Sequence, residues 1–385
     1  MRLEGSRILV APDSFKGTLS AAEAAMAMGR GVRRALPRAS VRLFPLSDGG
    51  DGFIDTLIPA MGGVPEWAMV QGPLPSRRVR ARWALAAKGK TALIEMAAAA
   101  GLALVPEGER NPGVTTTFGV GELINSALGR EVDAILIGIG GSATNDGGTG
   151  MASALGARFL DSSGALLAGG GRSLASLAHI DTSGLDVRLG RTAVTVACDV
   201  TNVLTGPQGA SRVFAPQKGA DPATVEQLEL ALVRYAEVLR DDLGVDVADL
   251  PGSGAAGGLG AGLIAFCGAQ LVSGIDLVLD ATGFESALAA SDLVLTGEGR
   301  IDSQTRSGKA LAGVLRRAEA AHVPVAAVAG SVEGSVAEYV GEQGFVALTA
   351  LTEGGEDPAR AMKDAARLLE EKTRAMLCAL IGKND

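Results

Sequence analysis

The sequence predicts an α/β protein with two domains. Short apolar segments alternate with segments of helical periodicity along most of the 385 residues, which is the pattern of strands followed by helices. Between residues 64 and 96, three strand-like segments follow one another without a helix, which indicates antiparallel strands and entry into a second domain. We therefore predict a discontinuous domain formed by both chain ends, residues 1–65 and 290–385, and an inserted mixed α/β domain, residues 66–289.

The amino-terminal part is predicted to begin with a buried strand at residues 7–12, RILVAP. Ser20 and Glu23 have the spacing of a capping box, so a helix is expected to follow Ser20. A second strand is predicted at residues 41–46, VRLFPL, and a second helix from about Phe53. The same order of strand, loop and helix returns near the carboxyl end, with predicted strands at residues 292–296, 323–330 and 345–351, a helix after Gly308 and a closing helix from Asp357.

The middle of the chain holds further elements of both kinds. A helix is predicted at residues 118–128, strands at 133–139 and 192–200, and a long amphipathic helix at roughly 222–241. Residues 250–275 carry no charge but are rich in glycine, so they are expected to form a buried loop and helix rather than a membrane span.

Composition excludes several classes of function. The net charge is −8 and aromatic residues make up 3% of the chain, which argues against a nucleic-acid partner. Cys198, Cys267 and Cys378 are far apart, so neither a disulfide framework nor a zinc site is expected. The first residues lack the apolar segment of a signal peptide. These observations predict a cytoplasmic protein without a membrane partner.

A glycine-rich loop follows the predicted strand at 133–139. The stretch IGIGGSATNDGGTG (residues 137–150) holds six glycines and one charge, and such exposed backbone N–H groups suit a phosphate. The predicted nucleotide-binding residues are Gly140, Gly141, Ser142, Thr144, Asn145, Asp146, Gly147 and Gly148.

The same loop also resembles a dinucleotide fingerprint in part. Gly138, Gly140 and Ala143 have the fingerprint spacing, but the intervening TNDGG delays the helix that should face the pyrophosphate. An NAD-dependent oxidoreductase of a small hydroxy acid is therefore the alternative function. A purely structural turn is a further interpretation of the glycines.

Two charged loops follow the first two predicted strands, where ligands bind in open α/β sheets. The first, APDSFKGT, presents Asp13, Ser14 and Lys16. The second, LSDGGDGF, presents Asp48 and Asp51, which suit Mg²⁺ or the start of a helix equally well.

Further carboxylates follow later strands. The segment LTGEGRIDSQTRSGK (residues 295–309) is predicted to be a charged loop carrying Glu298, Arg300 and Asp302, and it is no P-loop because its first glycine is missing. Asp199 directly follows a strand and suits a general base or a metal ligand. The two histidines, His179 and His322, have no catalytic partner near them in the sequence, so structural roles are expected for them. No G-x-S-x-G motif is present, so a nucleophile elbow is not expected either. The inventory of Asp, Lys and Arg favours phosphoryl transfer.

Eight sequence blocks, in order, resemble the type 1 glycerate kinase family, the bacterial glycerate 2-kinases. They are APDSFKGTLSA, PLSDGGDGF, NPGVTTTFGVGELI, GIGGSATNDGGTGMASALGARFLD, ACDVTNVLTGPQGAS, FAPQKGA, GSGAAGGLGAGL and DLVLTGEGRIDSQTRSGK. The resemblance implies ATP-dependent phosphorylation of D-glycerate to 2-phosphoglycerate with Mg²⁺. It also implies a flavodoxin-like domain built from both chain ends and an inserted domain of a different α/β fold.

The roles within this site are assigned by chemistry as hypotheses. Asp199 is the expected general base, with Asp48 or Asp302 as the other candidates, and Lys16 and Asp48 complete the predicted catalytic set. The predicted substrate-binding residues, in a cleft between the domains, are Asp13, Ser14, Lys16, Glu298, Arg300 and Asp302. The predicted Mg²⁺ ligands are Asp48, Asp51 and Asp199. A glycerate-sensing binding protein is a non-enzymatic alternative. The sequence leaves open whether the protein forms a homodimer and whether the C2 or the C3 hydroxyl of glycerate is phosphorylated.

Overall fold

The computed structural model describes residues 3–50, 52–301, 310–341, 344–353 and 358–382. Its strands are β1 (Arg7–Val10), β2 (Ser40–Leu43), β3 (Val64–Gln71), β4 (Arg78–Ala86), β5 (Thr91–Glu95), β6 (Ala134–Gly138), β7 (Arg158–Leu160), β8 (His179–Asp181), β9 (Ala193–Ala197), β10 (Gln270–Val272), β11 (Leu293–Ile301), β12 (Val325–Val332) and β13 (Ala347–Ala350). Its α-helices are α1 (Ala21–Ala35), α2 (Phe53–Met61), α3 (Ala97–Ala100), α4 (Phe118–Leu128), α5 (Thr149–Ala154), α6 (Ala210–Phe214), α7 (Pro222–Leu243), α8 (Ala255–Cys267), α9 (Gly274–Thr282), α10 (Phe284–Ala289), α11 (Ala310–Ala320), α12 (Pro358–Lys363) and α13 (Ala365–Gly382).

The first domain consists of Met1–Asp48 and Ile275–Asp385. Within its described residues, a sheet runs in the order β13–β12–β11–β1–β2, and every neighbouring pair is parallel. This is the strand order of flavodoxin-like folds. The predicted α/β class, with a parallel sheet formed by both chain ends, is therefore confirmed.

Helix α1 forms where its sequence predicts it. The Ser20 hydroxyl accepts a hydrogen bond from the Glu23 N–H at 3.3 Å, and the Glu23 carboxylate accepts one from the Ser20 N–H at 2.9 Å. This capping box satisfies two N–H groups that the helix start leaves without partners. Gly31 lets α13 approach closely, because a Cβ there would lie 2.5 Å from the Glu370 carbonyl oxygen.

Strand β11 is longer than predicted. The sequence placed Glu298 and Arg300 in a loop, whereas β11 continues to Ile301 and remains paired with β12 along its length. Gly297 makes this pairing possible, since a Cβ there would collide with the Val328 carbonyl oxygen. The expected loop is therefore wrong for residues 297–301, and its remaining part lies outside the described residues.

The second domain consists of Gly49–Gly274. Its described residues form a mixed sheet in the order β10–β9–β6–β5–β4–β3, in which β3, β4 and β5 are antiparallel and the remaining pairs are parallel. Strands β7 and β8 form a separate antiparallel pair. The predicted antiparallel run is thus confirmed, and contacts place the start of this domain at Gly49, ahead of residue 66.

Helix α2 belongs to the second domain. It packs against β4 and β5, and the Ile54 N–H donates a hydrogen bond to the Glu95 carboxylate at 3.0 Å. The uncharged glycine-rich segment contains α8, whose buried glycines include Gly257 and Gly258 with positive φ. No helix in the described residues is both long and apolar enough to cross a bilayer.

Candidate functional site

In the first domain, Asp13 occupies the point where the chain leaves β1. Its N–H donates to the Gly297 carbonyl at 2.8 Å, and its carboxylate accepts a hydrogen bond from the Ser14 N–H at 2.6 Å. The residue is 5% exposed. Burial is the main cause that raises the pKa of Asp13 to about 8, and the charges of Asp48 and Glu298 add to it. The carboxyl group therefore lies in a buried acidic environment.

Three further predicted residues lie near Asp13. Glu298 is 8% exposed, whereas Asp48 is half-buried and Lys16 is exposed. Lys16 lowers the pKa of Asp13, opposite to the effect of the two acids, so its charge reaches the same region. The structure thus brings Asp13, Lys16, Asp48 and Glu298 into one cluster within the first domain, which we call the acid cluster.

The remaining predicted residues of this domain are placed differently. Ser14 is half-buried beside Asp13. Arg300 is exposed and forms an ion pair with Glu333 at 3.0 Å. Asp302, like Asp51, lies outside the described residues.

In the second domain, three segments converge at the carboxyl ends of β6 and β9. A Cβ on Gly138 would lie 2.5 Å from the Gly49 carbonyl oxygen, and one on Gly140 would lie 2.8 Å from the Gly50 Cα. A Cβ on Gly49 would lie 2.7 Å from the Ala197 Cβ. The predicted loops after the second strand and after β6 therefore pack together through glycine backbone.

Asp146 lies inside the glycine loop rather than on its surface. The residue is fully buried, and its carboxylate accepts hydrogen bonds from Thr117, through both the N–H and the hydroxyl, and from the Gly148 and Gly150 N–H groups. Burial raises the pKa of Asp146, while these hydrogen bonds lower it. Because the carboxylate serves the starts of α4 and α5, it has a structural function in this arrangement.

Burial divides the predicted nucleotide-binding residues into two groups. Gly141 is exposed, Gly140 is half-buried and Ser142 is 8% exposed. The segment 144–148 is buried, and α8 packs on it through glycine, since a Cβ on Gly262 would lie 2.6 Å from the Gly147 carbonyl oxygen. The first group can meet a ligand directly, and the second supports the shape of the loop.

Lys218 is a buried residue that contacts this loop from a short helix at residues 216–218, and it was not predicted from the sequence. It is 2% exposed, and its Nζ donates hydrogen bonds to the Ser142 Oγ at 2.7 Å and to the Thr144 carbonyl at 2.6 Å. Burial lowers the pKa of Lys218 to about 7, against the opposite effect of Asp146. The signal in the sequence was a single lysine in the otherwise uncharged segment FAPQKGA.

Asp199 lies two residues beyond the end of β9 and is half-buried. Its Oδ1 accepts a hydrogen bond from the Gly274 N–H at 2.8 Å. Asn145, from the glycine loop, is held separately, because its Nδ2 donates to the Ser211 Oγ at 3.0 Å.

Two further predictions concern cofactors. Among the described residues, no group of three or more His, Cys, Asp or Glu side chains has the arrangement of a metal site, and one predicted ligand, Asp51, lies outside them. The dinucleotide interpretation is not supported, because the strand that precedes Asp161, β7, pairs with β8 and not with β6. In a dinucleotide fold the two strands would be neighbours in one sheet.

These features define a two-domain α/β protein with an acid cluster in its flavodoxin-like domain and a lysine-supported glycine loop in its mixed domain. The chain belongs to the glycerate kinase family, whose model matches residues 8–381. The resemblance inferred from the eight sequence blocks is thereby confirmed.

Individual relatives cover most of the chain. A protein named glycerate 2-kinase from Escherichia coli K12 is 51% identical over 86% of this chain and 86% of its own length. A protein named glycerate kinase from Bacillus subtilis 168 is 46% identical over 97% of each chain. Among solved structures, a Salmonella typhimurium LT2 protein assigned as glycerate kinase 2 is 47% identical, with a TM-score of 0.83 over 99% of both chains.

Proposed function

We propose that this protein is a glycerate 2-kinase, which transfers the terminal phosphoryl group of ATP to the 2-hydroxyl of D-glycerate. The observation that carries the proposal is that the two domains of this family member hold different kinds of binding group. The first domain holds the acid cluster, which includes Lys16, and the second holds a glycine loop supported by the buried Lys218. Phosphoryl transfer needs mainly positioning and charge stabilisation, which these groups provide.

We propose that glycerate binds mainly through the first domain. Lys16 and Ser14 offer a cation and a donor to the glycerate carboxylate. Asp13 and Glu298 suit the hydroxyl groups of glycerate, because carboxyl oxygens accept hydrogen bonds from hydroxyl groups. Arg300 remains a candidate whose described partner is Glu333.

ATP is proposed to bind mainly through the second domain. The N–H groups of Gly140 and Gly141 and the hydroxyl of Ser142 are the reachable donors for phosphate oxygens. Asp199 is the proposed base that accepts the proton of the attacking hydroxyl.

Mg²⁺ is part of the same proposal. The proposed ligands are the carboxylates of Asp48 and Asp51, with Asp199 as a third ligand if another carboxylate is the base, since Mg²⁺ prefers oxygen ligands. When bound, Mg²⁺ supplies charge neutralisation for the phosphate oxygens. The charge of Asp48 is one of the causes that raise the pKa of Asp13, so a cation bound to Asp48 would offset this charge.

The product from D-glycerate and ATP tests the proposal directly. We expect a ³¹P NMR signal split by the single C2 proton, as in 2-phosphoglycerate, together with stoichiometric release of ADP. Splitting by the pair of C3 protons would instead assign a 3-kinase. NADH formed from NAD and glycerate, without ADP release, would replace the proposal by the oxidoreductase.

A further inference from the structure

Lys218, the buried lysine that contacts the glycine loop, determines how the hydroxyl group of Ser142 can form hydrogen bonds. The Lys218 ammonium carries three donors and no acceptor. It lies 2.7 Å from the Ser142 Oγ, so the protonated lysine donates and the serine oxygen accepts. In this protonated state, which prevails below the lowered pKa of about 7, the hydroxyl proton of Ser142 must point away from Lys218, whereas the neutral amine would accept it.

When Lys218 is protonated, the Ser142 hydroxyl proton has no acceptor within the described part of the chain. The hydrogen bond from Lys218 is the side-chain contact that Ser142 makes there, and the residue is 8% exposed. Ser142 follows directly after the exposed Gly141 at the outer end of the loop. A polar hydrogen that is nearly buried and lacks an acceptor is costly, which indicates that a ligand accepts from it.

Lys218 also fixes where this hydroxyl lies. Its second hydrogen bond, to the Thr144 carbonyl at 2.6 Å, ties the ammonium to the buried part of the loop. Because Lys218 is itself held in place by Thr144, it fixes the position of the Ser142 oxygen. An ammonium that donates to a hydroxyl also polarises its O–H bond, so that the hydroxyl becomes a stronger donor.

We propose that Lys218 is a positioning residue that makes the Ser142 hydroxyl a hydrogen-bond donor to a phosphate oxygen of ATP. This inference rests on the proposed function and adds a specific donor pair to it. Lys218 acts through Ser142 and does not itself touch the nucleotide. A phosphate near Ser142 would in turn favour the protonated lysine, whose ordinary pKa burial lowers to about 7.

The test is the affinity for ATP, measured by calorimetry without glycerate, and the KM for each substrate. Ser142→Ala and Lys218→Met should each weaken ATP binding roughly tenfold or more, as expected for loss of a charge-assisted hydrogen bond. The KM for glycerate should stay unchanged in both variants. Lys90→Met is the matched control, since Lys90 is an exposed lysine of the same domain paired with Asp133 at 3.5 Å.

A double variant separates positioning from mere support of the fold. If Lys218 acts through Ser142, the protein with both Ser142→Ala and Lys218→Met binds ATP with about the same affinity as the single variant of lower affinity. Effects that multiply would overturn the inference, as would a Ser142→Ala protein that binds ATP within about twofold of wild type. Should Lys218→Met fail to fold, Ser142→Ala still decides, with Ser142→Thr expected to restore binding because it retains the hydroxyl.

The two proposals fail in different ways. A wild-type protein that binds ATP through Ser142 but does not phosphorylate glycerate contradicts the proposed function and leaves this inference intact. Normal phosphorylation of glycerate with an unaffected Ser142→Ala variant overturns this inference alone.

Discussion

Asp146 accepts two hydrogen bonds from Thr117, from its N–H at 2.8 Å and from its hydroxyl at 2.9 Å. Thr117 is the residue that precedes α4, and the same carboxylate also accepts from the N–H of Gly150 in the first turn of α5. One buried side chain therefore joins the starts of two helices to the glycine loop. The arrangement stabilises the loop from within, before any ligand is bound.

The first prediction concerns this carboxylate. Asp146→Asn replaces one acceptor oxygen by an NH₂ group that faces N–H and O–H donors, so the free energy of unfolding should fall by roughly 2–3 kcal/mol. Urea unfolding of the purified protein measures the change.

Asp161→Asn is the matched control for Asp146→Asn. Asp161 is half-buried in a surface turn and accepts hydrogen bonds from Ser163 and Ala165 of that turn. A much smaller change is expected there. Equal losses in the two variants would contradict the structural function of Asp146.

Much of the fold could be predicted because its signals are local. The capping box of Ser20 and Glu23 spans four consecutive residues, and the antiparallel strands β3 to β5 follow one another directly along the chain. The extension of β11 could not be read from the sequence in this way. It depends on pairing with β12, in which Arg300 lies opposite Ser331.

The site was harder to predict because its contacts are distant in sequence. Lys218 and Ser142 are 76 residues apart, and no spacing rule joins them. Asp146 was predicted to meet a nucleotide because it lies among glycines. Its burial depends on Thr117, which is 29 residues earlier in the chain. Residue types therefore indicated the chemistry of the loop, while tertiary packing decided which side chains face inward.

The second prediction follows from the lowered pKa of Lys218, from 10.5 to about 7. Between these values the unfolded chain binds the proton and the folded protein largely does not. Stability from this group is therefore fully present above about pH 10.5 and is lost as the pH falls towards about 7. The slope reaches at most about 1.4 kcal/mol per pH unit.

Comparison with Lys218→Met isolates this contribution. Unfolding free energies of both proteins, measured between pH 7.5 and 9.5 at constant salt, should diverge as the pH rises, with wild type gaining relative to the variant. Parallel curves would show that Lys218 keeps an ordinary pKa in the folded protein. Burial would then not disfavour its charged form.

The third prediction concerns close packing of helices α4 and α5. A Cβ on Gly121 would collide with the Met151 carbonyl oxygen and would lie 2.7 Å from the Ala154 Cβ. Gly121→Ala should therefore lower the free energy of unfolding by roughly 1–3 kcal/mol, although alanine favours helices. Thermal unfolding with calorimetry measures the change.

Gly129→Ala controls for the identity of the substitution. Gly129 follows α4 with φ of −66°, and the nearest atom to its added Cβ would be the Ser126 carbonyl oxygen at 3.4 Å. Little change or a small gain in stability is expected, because alanine restricts the unfolded chain. If both variants behave alike, the helices can separate enough to accept a methyl group.

The fourth prediction concerns Asp199 as the proposed base. Asn at this position retains an oxygen for the Gly274 N–H, which lies 2.8 Å from Oδ1, so the local structure should be preserved. Asn cannot accept the proton of the attacking hydroxyl. The kcat should therefore fall by about 10²-fold or more, as for loss of a general base, with a smaller change in the KM for ATP.

Asp246→Asn supplies the comparison for Asp199→Asn, since Asp246 is an exposed acid of the same domain whose carboxylate accepts from the Ala248 N–H at 3.4 Å. Its kcat should equal that of wild type.

A loss of kcat of less than about tenfold in Asp199→Asn would assign the base to another carboxylate. Asp48→Asn, measured in the same assay, would then show whether the acid cluster of the first domain provides the base, because its half-buried carboxylate lies close enough to raise the pKa of Asp13.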